Sequence, residues 1–202
     1  MVHTHKIIVV TDSSAYIPET ALAGLDVAVI PLWLFWDSDR LRDGVDIDPT
    51  TFYNRLRQSK SLPTSSQPSP AEFVNFFQQV APAEEAIVAV LASSKISGTV
   101  TSARAAQEQL PTMNIRVVDS LSSSMGLGLE VLAAARVAAA GGSIDEAVLA
   151  AEEMREKVHF LFVVDTLEYL QRGGRIGKAK RLLGTALNIK PILQFREGEI
   201  ES

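Results

Sequence analysis

The segment Lys6–Ser14 reads KIIVVTDSS, and this stretch decides the fold class. Its apolar, β-branched first half predicts a short buried strand, and the Asp and Ser residues that follow predict a polar loop at the end of that strand. The same succession of an apolar run and a hydroxyl-rich loop returns at residues 85–99 and 114–124. Because helical patterns separate these runs, we predict an α/β fold with a largely parallel sheet and flanking helices.

Residues 27–36 carry a second apolar run, VAVIPLWLFW. We predict a strand over Val27–Leu32 and expect the aromatic residues Trp33–Trp36 to extend it. Residues 59–70 read SKSLPTSSQPSP, which is typical of a loop because Ser and Pro interrupt regular structure. The spacing in residues 71–79 predicts a helix with its phenylalanines on one face.

A change of pattern near residues 156–159 predicts a domain boundary. A helical stretch ends there, and an apolar run at 159–164 predicts a new strand. We therefore divide the chain into an N-terminal α/β domain at residues 1–156 and a second α/β domain that starts at 157–202. The closing residues EGEIES predict a turn leading into a further strand, so we expect the second domain to be incomplete.

The composition argues against several classes of protein. The 202 residues include 19 Lys and Arg against 24 Asp and Glu, whereas a nucleic-acid binder needs a basic surface. The chain has no cysteine, which excludes disulfides, thiolate nucleophiles and cysteine-ligated metals. Its strongest apolar run, at 27–36, is about half of the ~20 residues of a spanning helix, so we expect no stable membrane insertion. No signal-peptide pattern is visible, and we expect a cytoplasmic protein.

Three hydroxyl-rich loops follow predicted strands, at residues 12–14, 93–99 and 119–124. In open parallel sheets, ligands bind beyond the carboxyl ends of the strands, so these loops are expected to face one crevice. Hydroxyl donors and helix N-terminal amides suit an anion, either a carboxylate or a phosphate. The alternative is that each loop only caps the helix that follows it.

Two arginines, Arg172 and Arg175, flank a Gly-Gly pair. This pattern is typical of a helix C-terminus, and it also allows Arg175 to pair with an anion or to link two domains. The only histidines are His3, His5 and His159, from which a Ser-His-Asp arrangement is hard to build. We predict no catalytic residue and no metal site.

Six short motifs occur in order along the chain, and together they resemble the DegV family of bacterial fatty-acid-binding proteins over nearly its whole length. They are TDSSA at 11–15, DGVDI at 43–47, SSQPSP at 65–70, SGT at 97–99, VDS at 118–120 and LQRGGRI at 170–176.

This resemblance implies a two-domain DegV-like architecture that buries one long-chain fatty acid, such as palmitate, stearate or oleate, and needs no other cofactor. Members of the family also serve as the acyl-carrying subunit of a bacterial fatty-acid kinase. The resemblance therefore implies a non-catalytic carrier with a kinase subunit as a partner.

The same resemblance assigns the carboxylate to Ser65 and Ser97, with Ser66, Gly98 and Thr99 as neighbours that add contacts. Ser65 replaces a threonine of the family pattern and keeps its hydroxyl. Arg175 matches an arginine near the head group, and the family's late histidine has no counterpart in this sequence.

The fatty-acid tail needs an apolar tunnel, and we expect residues 27–35 and the helix containing Phe73, Phe76 and Phe77 to contribute to its lining. Two alternatives stay open. One is an enzyme that acts on a small phosphorylated or carboxylated metabolite through Asp12, Asp119 and Arg175. The other is a structural or regulatory protein without a ligand.

Overall fold

The computed structural model describes residues 6–81, 85–183 and 190–202, within which the chain forms ten strands and six α-helices. In chain order these are β1 (Ile7–Asp12), β2 (Val27–Ile30), β3 (Trp33–Trp36), β4 (Asp39–Arg42), α1 (Pro49–Gln58), β5 (Thr64–Ser66), α2 (Pro70–Val80), β6 (Ala86–Leu91), α3 (Thr99–Gln109), β7 (Asn114–Asp119), α4 (Ser124–Ala139), α5 (Ile144–Lys157), β8 (Leu161–Val163), α6 (Glu168–Arg172), β9 (Ile192–Arg196) and β10 (Glu199–Glu201). Short 3₁₀ turns occupy Ser13–Ala15, Glu19–Ala21 and Gly177–Leu182.

The largest sheet contains four parallel strands in the order β2-β1-β6-β7. Strands β1 and β6 are buried along their whole length, as expected for central strands covered on both faces. Helices α2 and α3 pack on one face through Phe73, Phe77 and Ala103. Helices α4 and α5 cover the other face through Leu127 and Ala147. The predicted α/β fold with a parallel sheet is confirmed.

A three-stranded sheet of β3, β4 and β5, here called the small sheet, corrects the prediction for Trp33–Trp36. These residues do not extend β2 but form β3, which pairs antiparallel with β4 and β5. Pro31 separates the two strands because it has no N–H for the parallel ladder. The segment 59–70, predicted to be a loop, supplies β5, in which Ser65 lies opposite Leu34.

Helix starts follow the local signals in the sequence. Asp48 accepts a hydrogen bond from the backbone of Thr51 and begins α1, with proline in the first turn. Ser69 and Ser143 form complete capping boxes at the starts of α2 and α5. Each box satisfies backbone donors that a helix otherwise leaves unpaired.

The residues after α5 form a separate three-stranded sheet in the order β10-β9-β8, here called the second sheet. Its core includes Ile176, Leu193 and Ile200. The turn from β9 to β10 contains Glu197 and Gly198, both with positive φ, and it confirms the expected turn into another strand. An element of regular structure was expected at 181–187, of which 184–187 lie outside the described residues, as do His3 and His5. The domain boundary at residue 156 stays a prediction.

Candidate functional site

The turn that connects β6 to α3 carries two hydroxyls in direct contact. The Oγ atom of Ser97 lies 2.7 Å from the Oγ1 atom of Thr99, and it also accepts a hydrogen bond of 3.3 Å from the Thr99 amide. Thr99 is fully buried and Ser97 is half-buried. If Thr99 donates its proton to Ser97, the Ser97 hydroxyl is free to donate to a bound group.

Helix α3 begins at Gly98, which has no side chain to cap it. The N-terminus of this helix therefore offers backbone N–H groups and the positive end of the helix dipole beside Ser97. Such a terminus favours an anion, and the Ser97 hydroxyl adds a directed donor to it.

Because Gly98 has no side chain, the side chain of Gln67, the residue that follows β5, can approach this turn. A Cβ atom at Gly98 would lie 2.7 Å from the Nε2 atom of Gln67 and 2.9 Å from its Cδ atom, so a side chain here would displace the Gln67 amide. Sequence reasoning did not single out Gln67, because nothing local in its motif indicates this contact. It is the residue through which the structure brings the SSQ motif to the SGT motif.

Ser65 and Ser66 lie on opposite faces of the small sheet, since neighbouring residues of a strand alternate. Ser65 is exposed and shares a face with Leu34, whereas Ser66 lies opposite Trp33 and donates a hydrogen bond to the Gln67 carbonyl at 3.2 Å. Within the described residues, no hydrogen bond joins either serine to Ser97.

Arg175 reaches the same turn from the second sheet's side of the molecule. Its Nε atom donates to the carbonyl of Ile96 at 3.2 Å, and its Nη1 atom donates to the carbonyl of Gly173 at 2.5 Å. The guanidinium group thus lies against the residue that precedes Ser97. This hydrogen bond links the two parts of the chain and places a positive charge near the Ser97–Thr99 hydroxyl pair.

The hydroxyl loop after β1 is occupied by structural contacts. The buried carboxylate of Asp12 accepts hydrogen bonds from the amide and hydroxyl of Ser14 and from the amide of Ala92 at 2.8 Å. Burial raises the pKa of Asp12, and these hydrogen bonds oppose the increase. Ser13 donates to Asp43 at 2.7 Å and accepts from the amide of Leu32. This loop therefore links the carboxyl end of β1 to the residues that flank β3 and β4.

Ser93, predicted to face the same crevice, instead contacts the β9–β10 turn. Its hydroxyl donates to the carbonyl of Gly198 at 2.8 Å and accepts from the amide of Lys95. Asp119, the last residue of β7, accepts from the amides of Ser94 and Leu121. These contacts stabilise the loop that leads to Ser97.

An apolar cavity of about 330 Å³ lies beside the start of α2. Ile30, Trp33, Pro68 and Phe76 contribute to its lining, and Trp33 donates a hydrogen bond to Glu72 at its rim. Phe73 and Phe77, in contrast, are fully buried in the core. Of the three phenylalanines expected at a tunnel, Phe76 is the one in this lining.

Two other classes of site have no candidate among the described residues. The ranges 6–81, 85–183 and 190–202 contain no cluster of three or more His, Asp or Glu side chains suited to a metal ion. No helix within these ranges combines the length and the hydropathy needed to cross a membrane.

Comparison with known proteins gives a consistent result. A family model described as "Uncharacterised protein, DegV family" matches residues 6–202. A DegV domain-containing protein of Caldanaerobacter subterraneus is 38% identical over 196 residues, which cover 97% of this chain and 70% of that protein.

Solved structures show the same similarity in three dimensions. A DegV family protein from Thermus thermophilus, described by its fatty acid binding, has a TM-score of 0.88 at 37% identity, covering 98% of this chain and 70% of that one. DegV from Bacillus subtilis, described as a fatty acid binding protein, has a TM-score of 0.88 at 34% identity, covering 97% of this chain and 70% of that one.

Proposed function

This chain belongs to the DegV family, and from that premise we propose that it binds one long-chain fatty acid and carries it without transforming it. The observation that supports this proposal best is the Ser97–Thr99 hydroxyl pair at the N-terminus of α3, where Ser97 accepts from the Thr99 amide and Gly98 adds no side chain. A carboxylate there receives a hydroxyl hydrogen bond, backbone N–H groups and a favourable helix dipole in one place.

Arg175 adds long-range attraction for the head group. Two of its nitrogens already donate to backbone carbonyls, which holds the guanidinium in a defined position. We therefore assign it the role of setting the potential around Ser97. Ser65 and Ser66 complete the proposed set of head-group residues, with Gln67 between them and Gly98.

Burial of the acyl chain supplies most of the proposed affinity. Each methylene removed from water contributes about 0.8 kcal/mol, so ten buried methylenes contribute roughly 8 kcal/mol. The cavity lined by Ile30, Trp33 and Phe76 is the proposed place for part of this chain, since Pro68 joins it to the segment that contacts Gly98. We propose palmitate, stearate or oleate as the ligand.

A fatty-acid kinase subunit is the proposed partner. In this proposal the carrier presents the carboxylate for phosphorylation, and the kinase performs the phosphoryl transfer. The enzyme alternative relied on Asp12 and Asp119, and both carboxylates are occupied by backbone hydrogen bonds that shape the fold. Their contacts favour the carrier over an enzyme of small metabolites.

Mass spectrometry of gently purified protein tests the ligand directly. Organic extraction should release one C14–C18 fatty acid per chain, and delipidated protein should take up palmitate again. Protein that is free of lipid and fails to bind either palmitate or oleate would contradict the proposal. A panel of phosphoesters, turned over by the wild type but not by Asp12→Ala, would support the enzyme instead.

A further inference from the structure

Helix α4 contains a glutamate whose environment is unusual for a charged residue. Glu130 is fully buried, and neither of its carboxyl oxygens has a hydrogen-bond partner among the described residues. Burying such a group without a partner is costly, and buried polar atoms in folded proteins are nearly always paired. The fatty-acid site described above does not use Glu130.

Glu130 lines a cavity of about 260 Å³, here called the Glu130 cavity. The cavity lies where α4 and α5 meet the second sheet, and Arg155, Phe160, Phe195 and Glu197 also line it. The rings of Phe160 and Phe195 stack with their centroids 5.8 Å apart. The Nε atom of Arg155 is buried and, within the residues described, has no hydrogen-bond partner either.

Arg155 is the cation that acts on Glu130, but no hydrogen bond joins the two side chains among the described residues. The Nη1 atom of Arg155 donates to the Asp119 carbonyl at 2.9 Å, and its Nε atom lies 3.7 Å from Glu156. Arg196, on β9, lies 3.5 Å from Glu201. These two arginines line the cavity together with three glutamates, so its carboxylates outnumber its cations.

Glu130 is consequently held in its neutral form. Burial raises the pKa of Glu130 to about 9, with further increases from Asp119 and Glu156 and an opposing effect from Arg155. A cation with hydrogen-bond donors would reverse this balance, because it would pair with the ionised carboxylate and satisfy its oxygens.

We propose that the Glu130 cavity binds a small primary amine in its ammonium form. The ammonium N–H groups donate to the carboxylate of Glu130, and the stacked rings of Phe160 and Phe195 cover the apolar part of the ligand. A metal ion suits the cavity less well, because the described residues hold no cluster of three metal-ligating side chains.

The test uses the full chain, glutamate labelled with ¹³C at the side-chain carboxyl, and butylammonium chloride as the probe. Glu130→Gln identifies the Glu130 resonance in the NMR spectrum. Saturating butylammonium should lower the pKa of Glu130 from about 9 to about 8 or below, because a tenfold preference for the ionised form corresponds to one pH unit. Glu130→Gln should lose the binding at least tenfold.

Two controls separate specific binding from general effects. Tetramethylammonium at the same concentration carries the charge without N–H donors and should leave the titration unchanged. Glu153→Gln removes an exposed carboxylate from α5 and should keep the butylammonium response. Equal responses to both cations, or none to butylammonium, would overturn the proposal and leave ordered water as the only occupant. Palmitate binding by Glu130→Gln should equal that of the wild type.

Discussion

Replacing Ser97 by alanine tests the head-group site most directly. The Ser97 hydroxyl lies 2.7 Å from the Oγ1 atom of Thr99, and its proton is available to a ligand when Thr99 is the donor of that pair. A hydrogen bond to a charged group contributes about 1.5–3 kcal/mol, so we expect the Kd for palmitate to rise roughly 10- to 150-fold. The acyl chain keeps its burial, and the remaining affinity should be that of the tail.

The assay is competition against a fluorescent fatty acid, run in parallel with palmitate and with 1-hexadecanol. The alcohol has the same chain length but no carboxylate, so Ser97→Ala should weaken palmitate much more than the alcohol. Thr112→Ala removes an exposed hydroxyl elsewhere and serves as the matched control. Thermal unfolding of each variant confirms that folded protein is compared.

A second variant tests whether the two hydroxyls act together. Thr99→Val removes the donor that is proposed to orient Ser97, and we expect it to weaken palmitate binding less than Ser97→Ala does. The double variant should resemble Ser97→Ala alone, because both changes affect one hydrogen-bonded chain. Unchanged palmitate affinity in a folded Ser97→Ala variant would refute the assignment and leave this serine as part of the turn.

Three further predictions follow from individual contacts. Gly98→Ala should displace the Gln67 amide and weaken palmitate binding while leaving the melting temperature almost unchanged, since the backbone at Gly98 is compatible with alanine. Gly198→Ala should lower the melting temperature, because φ is +84° there and a Cβ atom would lie 2.6 Å from the Ser93 hydroxyl; Gly24→Ala, with a similar φ and open space, is the control. Wild-type stability should fall as the pH rises from about 4.3 towards 9, with up to ~1.4 kcal/mol per unit from Glu130, because folded Glu130 retains a proton that the unfolded chain releases; urea unfolding of Glu130→Gln should show a smaller dependence, with the remainder from Asp12, whose pKa burial also raises.

Much of the parallel sheet could be predicted because its strands have clear local sequence patterns. β1 and β6 begin with apolar runs, and the run that begins at residue 114 forms β7. The helix starts also have local signals, since Ser143 and Glu146 have the spacing of the capping box that they form. Short-range hydrogen bonds and burial on both faces produced these signals.

The small sheet was beyond this kind of reasoning. Trp33–Trp36 has the pattern of a strand, but its choice of partner depends on β5, a Ser-rich segment far along the chain. Strand pairing is a tertiary event, and a three-residue strand such as β5 carries no periodicity of its own. For the same reason, the sequence did not predict the contact between Gln67 and Gly98 or the burial of Glu130 in the Ala-rich helix α4.

The hydroxyl loops show how one residue type divides between two roles. Ser93 and Ser97 belong to the same connection after β6, and both were expected to face a ligand. Ser93 donates its hydroxyl to the carbonyl of Gly198, whereas the partners of the Ser97 hydroxyl among the described residues are the hydroxyl and the amide of Thr99. The approach of the β9–β10 turn to Ser93 distinguishes the two serines.

The position of the β9–β10 turn also shows why the proposed head-group site depends on both parts of the chain. Ser93 and Ile96 are each held from the second sheet's side, by Gly198 and by Arg175, and both belong to the loop that leads to Ser97. Tail burial is non-directional and tolerates small displacements, but a hydrogen bond to a carboxylate weakens steeply when its geometry changes. The two contacts therefore hold the loop that carries the proposed head-group donor, and we expect the proposed affinity for a carboxylate to depend on them.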